Sequence, residues 1–87
     1  MLRVVWDEPK RQKTLAERGL DFRRVTPEFF EGALMEPARE GRAKAIGLLD
    51  DRCFVVVFRM LGSEAVSVIS MRYASRKERT RYAQENS

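Results

Sequence analysis

Apolar positions in the chain fall mostly into a two-residue alternation or short continuous runs, the marks of strands, and these are set apart by stretches of mixed charge with helix punctuation. Arg3, Val4, Val5 and Trp6 make a short β-prone start. Asp7-Glu8-Pro9 closes it, with Asp7 placed to cap a helix and Pro9 to occupy its first turn. The helix over residues 10–18 has Leu15 and Ala16 as its only apolar residues, so most of its surface faces water. Gly19 supplies the left-handed position that ends it, with Leu20 as the apolar anchor beyond. Thr26-Pro27 starts a second, short helix through Phe29, Phe30 and Leu34, with Thr26 as N-cap and both phenylalanines assigned to the core.

The second half reads as strands. After a polar link holding Pro37 and Gly41, residues 42–49 place Arg42, Lys44, Ile46 and Leu48 on one strand face, and Asp50-Asp51 makes a hairpin turn. Residues 53–59 are apolar almost to the end and β-branched at Val55, Val56 and Val57, as a central strand covered on both faces requires. Leu61-Gly62-Ser63 turns the chain again. Alternation from Ala65 then directs Val66, Val68, Ser70 and Arg72 to one side and Ala65, Ser67, Ile69 and Met71 to the other. A last helix begins near Arg76. The order β-α-α-β-β-β-α predicts one α+β domain spanning residues 1–87, and the short turns between its last strands predict an antiparallel sheet.

Charge gives this scaffold a polarity. The net charge is +4 and the C-terminal part carries the excess, since Arg72, Arg76, Lys77, Arg79 and Arg81 stand against only Glu78 and Glu85. Such a surface favours anionic partners, and RNA fits it best. The lone cysteine, Cys53, cannot form an intramolecular disulfide or contribute a zinc cluster, and suits a reducing cytoplasm. No apolar run reaches the ~18 residues of a membrane span. With no histidine in the chain, the commonest general acid-base group and neutral metal ligand are both missing, so no metal or cofactor is expected.

The candidate chemistry concentrates in residues 68–82, where an apolar strand runs into cations and hydroxyls. Ser75-Arg76-Lys77-Glu78 has the spacing of a capping box, which gives Glu78 a structural role; its functional alternative is a proton acceptor or an anchor for an arginine. Arg72 and Arg79 are separated by a short reversing segment and are expected to converge on a phosphate, which the planar guanidinium suits. Tyr82 shares a helix surface with Glu78 and Arg79, either packing there or offering a ring or hydroxyl to RNA. Arg42, Lys44 and Arg59 add cations at strand ends, as phosphate contacts or as guards against edge pairing. The catalytic candidates are Arg72, Glu78, Arg79 and Arg42; Arg59, Ser70, Arg76, Lys77 and Tyr82 are candidates for RNA binding.

Trp6-Asp7-Glu8-Pro9-Lys10, Gly19-Leu20-Asp21-Phe22, Phe29-Phe30, Arg42 with Ile46-Gly47, and a closing Ile69-Ser70-Met71-Arg72, Ala74, Glu78-Arg79 together resemble the BrnT toxins, in the family's order and over nearly the whole chain. The resemblance implies a RelE-like fold and a ribonuclease toxin of a type II toxin-antitoxin module that arrests translation. It also implies neutralisation by a BrnA-type ribbon-helix-helix antitoxin, in a heterotetramer that touches DNA through the antitoxin. The chain departs from the family pattern at Thr14, where an asparagine is common, at Glu17-Arg18 in place of Lys-His, and at Ser67 in place of an arginine. The alternative function is a non-catalytic module that uses the same basic surface to hold nucleic acid or an antitoxin-like partner.

Overall fold

A computed structural model describes residues 2–86. The elements in order are β1 (Arg3–Trp6), α1 (Glu8–Arg18), α2 (Pro27–Glu31), β2 (Leu34–Pro37), β3 (Ala43–Leu49), β4 (Arg52–Leu61), β5 (Ala65–Tyr73) and α3 (Arg76–Glu85), with short 3-10 turns at Phe22–Arg24 and Arg39–Gly41. They form a five-stranded sheet in the order β1-β5-β4-β3-β2. The class is α+β, with two corrections to the sequence reading.

First, the sheet is mixed. β2, β3, β4 and β5 are antiparallel neighbours, but β1 pairs in parallel with β5. Short turns rule out parallel pairing only between consecutive strands, and the long excursion between β1 and β5 imposes no such limit. Second, the helix at Pro27 stops at Glu31, and Leu34 opens a fourth strand of the meander, opposite Ile46. This strand is short and lies at the sheet edge, where Pro37 costs no central ladder bond. Thr26 is extended but makes no side-chain capping bond.

Other local signals act as read. Asp7 accepts from the Lys10 amide at 3.3 Å, Gly19 takes φ +70° at the end of α1, and Asp50 and Asp51 take φ +50° and +65° in the β3-β4 hairpin. α1 has no buried residue. It is held by ions: Arg11 bridges Glu8 at 2.6 Å and Asp21 at 3.2 Å, tying the helix to the following turn.

The main core lies on one sheet face, where Phe54, Val56 and Phe58 of β4 and Val66, Val68 and Met71 of β5 meet Phe22, Phe29 and Phe30. Phe30 packs edge-on against Phe58 with centroids 5.1 Å apart. A smaller cluster on the opposite face joins Ile46, Val55 and Ala74, with Leu34, Cys53 and Tyr82 against it. Gly47 is favoured by the packing, since a Cβ there would lie 3.1 Å from the Phe29 ring and press it aside.

The alternation expected along β5 is broken once, and the break decides where the polar residues go. Val57 pairs with Ser70 but Phe58 pairs with Val68, leaving Ile69 as the extra residue of a β-bulge. Val66, Val68 and Met71 therefore share the core, whereas Ser70 and Arg72, instead of following Val66 and Val68, turn to the other face.

Candidate active site

α3 begins with a complete capping box. Ser75 Oγ accepts from the Glu78 amide at 3.2 Å, and Glu78 Oε1 accepts from the Ser75 amide at 2.8 Å. This fixes the helix above the second sheet face and drives Glu78 inward until it is only 5% exposed. Arg72, directed there by the bulge, donates to both carboxylate oxygens, at 2.7 and 2.9 Å. Lys44 donates to Oε2 at 3.3 Å and lies 3.6 Å from Glu36, which accepts in turn from Arg81 at 2.8 and 3.0 Å.

Arg72 above all, then the Ser75 amide and Lys44, hold the Glu78 carboxyl far below the usual carboxylate range, against the opposing effect of burial. Arg81 first, and Lys44 after it, lower Glu36 similarly. Of the readings open for Glu78, the geometry satisfies the cap and the arginine anchor together. It does not suit a proton acceptor, because the oxygens are taken by four N–H donors and protonation would break a buried ion pair.

Beyond α3 the same face is open and basic. Cross-strand pairing sets Glu36, Lys44, Val57 and Ser70 in one row, and Arg59, Ser67 and Val5 in the next, with strands about 4.8 Å apart. Arg42 precedes Ala43, which packs into the main core, so Arg42 projects to the open side beside Arg59. Arg59 makes one hydrogen bond, to the Glu40 carbonyl at 3.4 Å. Arg42 Nε is buried with no acceptor, the only such side-chain atom among the described residues. Lys44 and Arg72 are thus partly neutralised by carboxylates, while Arg42 and Arg59 have no acidic partner among the described residues.

Arg79 does not join this group. It donates to the Ala74 carbonyl at 2.9 Å and lines a shallow pocket at the sheet end with Asp51, Arg52, Cys53 and Tyr73. Arg72 Nη1 also donates to the Tyr73 carbonyl at 3.3 Å, so Arg72 and Arg79 are held on adjacent carbonyls of the chain, while only Arg72 pairs with Glu78. Arg76 and Lys77 are exposed at the start of the helix. Tyr82 is half-buried against Ile46, Val55 and Ala74, which is the packing role.

Sequence reasoning missed the cations of α1. Where β1 stops pairing, α1 runs beside the continuing edge of β5, and Arg18 donates to the Met71 carbonyl at 2.9 Å. Lys10, Lys13, Thr14, Glu17 and Arg18 line a groove with Ile69 and Ser70, so Ser70 joins the open face to a second strip in which three cations stand against one acid. Three of the positions that depart from the family pattern, Thr14, Glu17 and Arg18, fall in this groove. The spacing of Lys10, Thr14 and Arg18 at four-residue intervals was the available signal for a shared helix face.

Residues 6–78 match the family described as "Ribonuclease toxin, BrnT, of type II toxin-antitoxin system". Comparison with curated protein sequences returns no match. Among solved structures, the 1.1 Å crystal structure of the Brucella abortus ribonuclease toxin BrnT is similar, with 45% identity and a TM-score of 0.80 over 87% of this chain and 100% of that one. With most of its length inside the family match and its fold shared with a relative at this identity, the chain belongs to the BrnT family of type II ribonuclease toxins.

Proposed function

We propose that the chain is a metal-independent endoribonuclease whose RNA lies across the open sheet face, with the scissile phosphate against Arg42 and Arg72. The observation that carries this reading is the row of cations on the open face, in which Arg42 and Arg59 have no acidic partner among the described residues and so keep their charge available for a phosphate. Arg59 and Ser70 flank that point on the same face, and Arg76 and Lys77 attract the RNA backbone from the helix start. Glu78 acts as a positioning residue by orienting Arg72. Arg79 contacts RNA away from the reacting phosphate.

The chemistry that such a surface promotes is attack by the ribose 2′-hydroxyl on the adjacent phosphorus. The 2′-oxygen forms the new bond to phosphorus as its proton leaves, the bond to the 5′-oxygen breaks, and that oxygen takes up a proton. The products are a cyclic phosphate and a 5′-hydroxyl. Negative charge accumulates on the non-bridging oxygens meanwhile, where fixed guanidinium groups stabilise it without reorganising; a single donor of this kind is worth roughly 3 kcal/mol.

Purified protein incubated with end-labelled RNA, with and without ribosomes, tests the proposal: fragments ending in cyclic phosphate are expected. RNA binding without cleavage would instead support the non-catalytic module. In the cell, induced expression is expected to arrest growth through loss of translation in the cytoplasm.

The family description also supports an antitoxin partner, and a BrnA-type ribbon-helix-helix dimer joined to two toxins in a heterotetramer is the assembly proposed here, with operator DNA contacted by the antitoxin. Co-expression with a neighbouring reading frame of that type is expected to restore growth and yield a complex of that mass.

A further inference from the structure

The pocket that captures Arg79 has its own chemistry, apart from the open face. It lies where β4 begins and β5 ends, has a volume of about 280 Å³, and is lined by Asp51, Arg52, Cys53, Tyr73, Ala74 and Arg79. Tyr73 is 51% exposed, unusual for a ring that also stacks on the buried Phe54 at a centroid distance of 4.8 Å and an interplanar angle of 29°. One face of the ring is thus backed by the core. Over the ring lies the Arg52 guanidinium, 5.9 Å from its centroid. Arg52 makes no ion pair among the described residues, so it can yield the ring to another planar group and remain nearby as a cation. Arg79 is held from below by the Ala74 carbonyl. Burial pushes the Cys53 thiol up, so that wall of the pocket is neutral and polarisable.

A rigidly backed aromatic face with two guanidinium groups beside it is the combination that binds a nucleotide of single-stranded RNA: the ring stacks a base and the cations take the phosphate. Tyr73 directly follows Arg72 in β5 but points to the opposite sheet face, so an RNA strand leaving the open face past Arg72 reaches this ring by rounding the end of the sheet, where the pocket lies. We propose that the pocket is a nucleotide subsite in which the base stacks on Tyr73 and its phosphate is held by Arg79 and Arg52, fixing the RNA register beside the point of cleavage. The proposal rests on the RNA reading above, but uses different residues for its test.

The test is titration of the protein with a twelve-nucleotide 2′-O-methyl RNA, which binds but lacks the attacking hydroxyl. Tyr73→Ala is expected to weaken binding roughly five- to hundredfold, Tyr73→Phe to bind as the parent does, and Arg52→Gln, which disturbs no core contact, to weaken it severalfold. In the unmodified protein the amides of residues 51–53 and 73–79 are expected to shift on RNA addition, a readout that does not depend on any variant folding. If RNA binds with parental affinity to Tyr73→Ala and Arg52→Gln and leaves those amides unmoved, the subsite is refuted while the RNA reading stands. If the unmodified protein fails to bind the RNA at all, the RNA reading fails and the subsite with it.

Discussion

Removing the Glu78 carboxylate is expected to destabilise the domain and to make its stability less sensitive to acid. The side chain is 5% exposed and receives two hydrogen bonds from Arg72, one from the Ser75 amide and one from Lys44. Breaking a fully buried ion pair costs about 3–5 kcal/mol, but the Arg72 side chain is 42% exposed and can turn to water, so the charge component is at the lower end or below it. Loss of the cap adds about 1 kcal/mol. Glu78→Ala should therefore cost roughly 2–4 kcal/mol, a fall in Tm of about 10–20 °C in a domain of this size. Glu78→Gln, which retains an acceptor for Ser75, should cost less. Because folding lowers this carboxyl below its ordinary value of about 4.5, its contribution is present above about pH 4.5 and is lost as the pH falls below that. Thermal melts of the parent and Glu78→Gln from pH 7 to pH 3 are thus expected to converge as the pH drops. A Glu78→Ala melt within 2 °C of the parent at pH 7, or a parent-to-Gln difference unchanged at pH 3, would refute the argument that this ion pair anchors α3.

Ser75→Ala should lower stability by about 1 kcal/mol in urea unfolding, since it removes only the acceptor for the Glu78 amide; no change would show that the remaining half of the capping box suffices. Gly47→Ala should cost about 1–3 kcal/mol, because its Cβ would press on the Phe29 ring at 3.1 Å and on the Ala33 methyl at 3.2 Å; an unchanged Tm would mean that both neighbours move freely.

The parts of the molecule governed by short-range rules were legible in the sequence. The Ser75-Glu78 box, the Asp7 cap, the Gly19 terminator and the Asp50-Asp51 hairpin each depend on a few adjacent residues, and each lies where its residues placed it. The continuous apolar run of β4 likewise announced a central strand. What sequence did not convey depended on distant partners. β2 is recognisable only once Ile46 and Lys44 stand opposite Leu34 and Glu36, and the parallel β1-β5 pair joins residues from the two ends of the chain. The Ile69 bulge reversed the assigned faces of Ser70 and Arg72 because strict alternation has no means of marking one unpaired residue. At the site, Arg42 and Arg72 share a face because of the Ile69 bulge, and that is invisible in the charge pattern.

RNA held on the open face for cleavage must meet Arg42, which has no acidic partner among the described residues. Arg42 makes no ion pair among the described residues but is half-buried, so Arg42→Gln is expected to cost about 1 kcal/mol or less, a fall in Tm of at most about 4–8 °C that leaves the domain folded. The decisive measurement is the rate at which this purified variant cleaves a defined RNA. A fall of about a hundredfold or more is expected from the loss of one charged donor at the phosphate, and a rate within threefold of the parent would contradict the assignment.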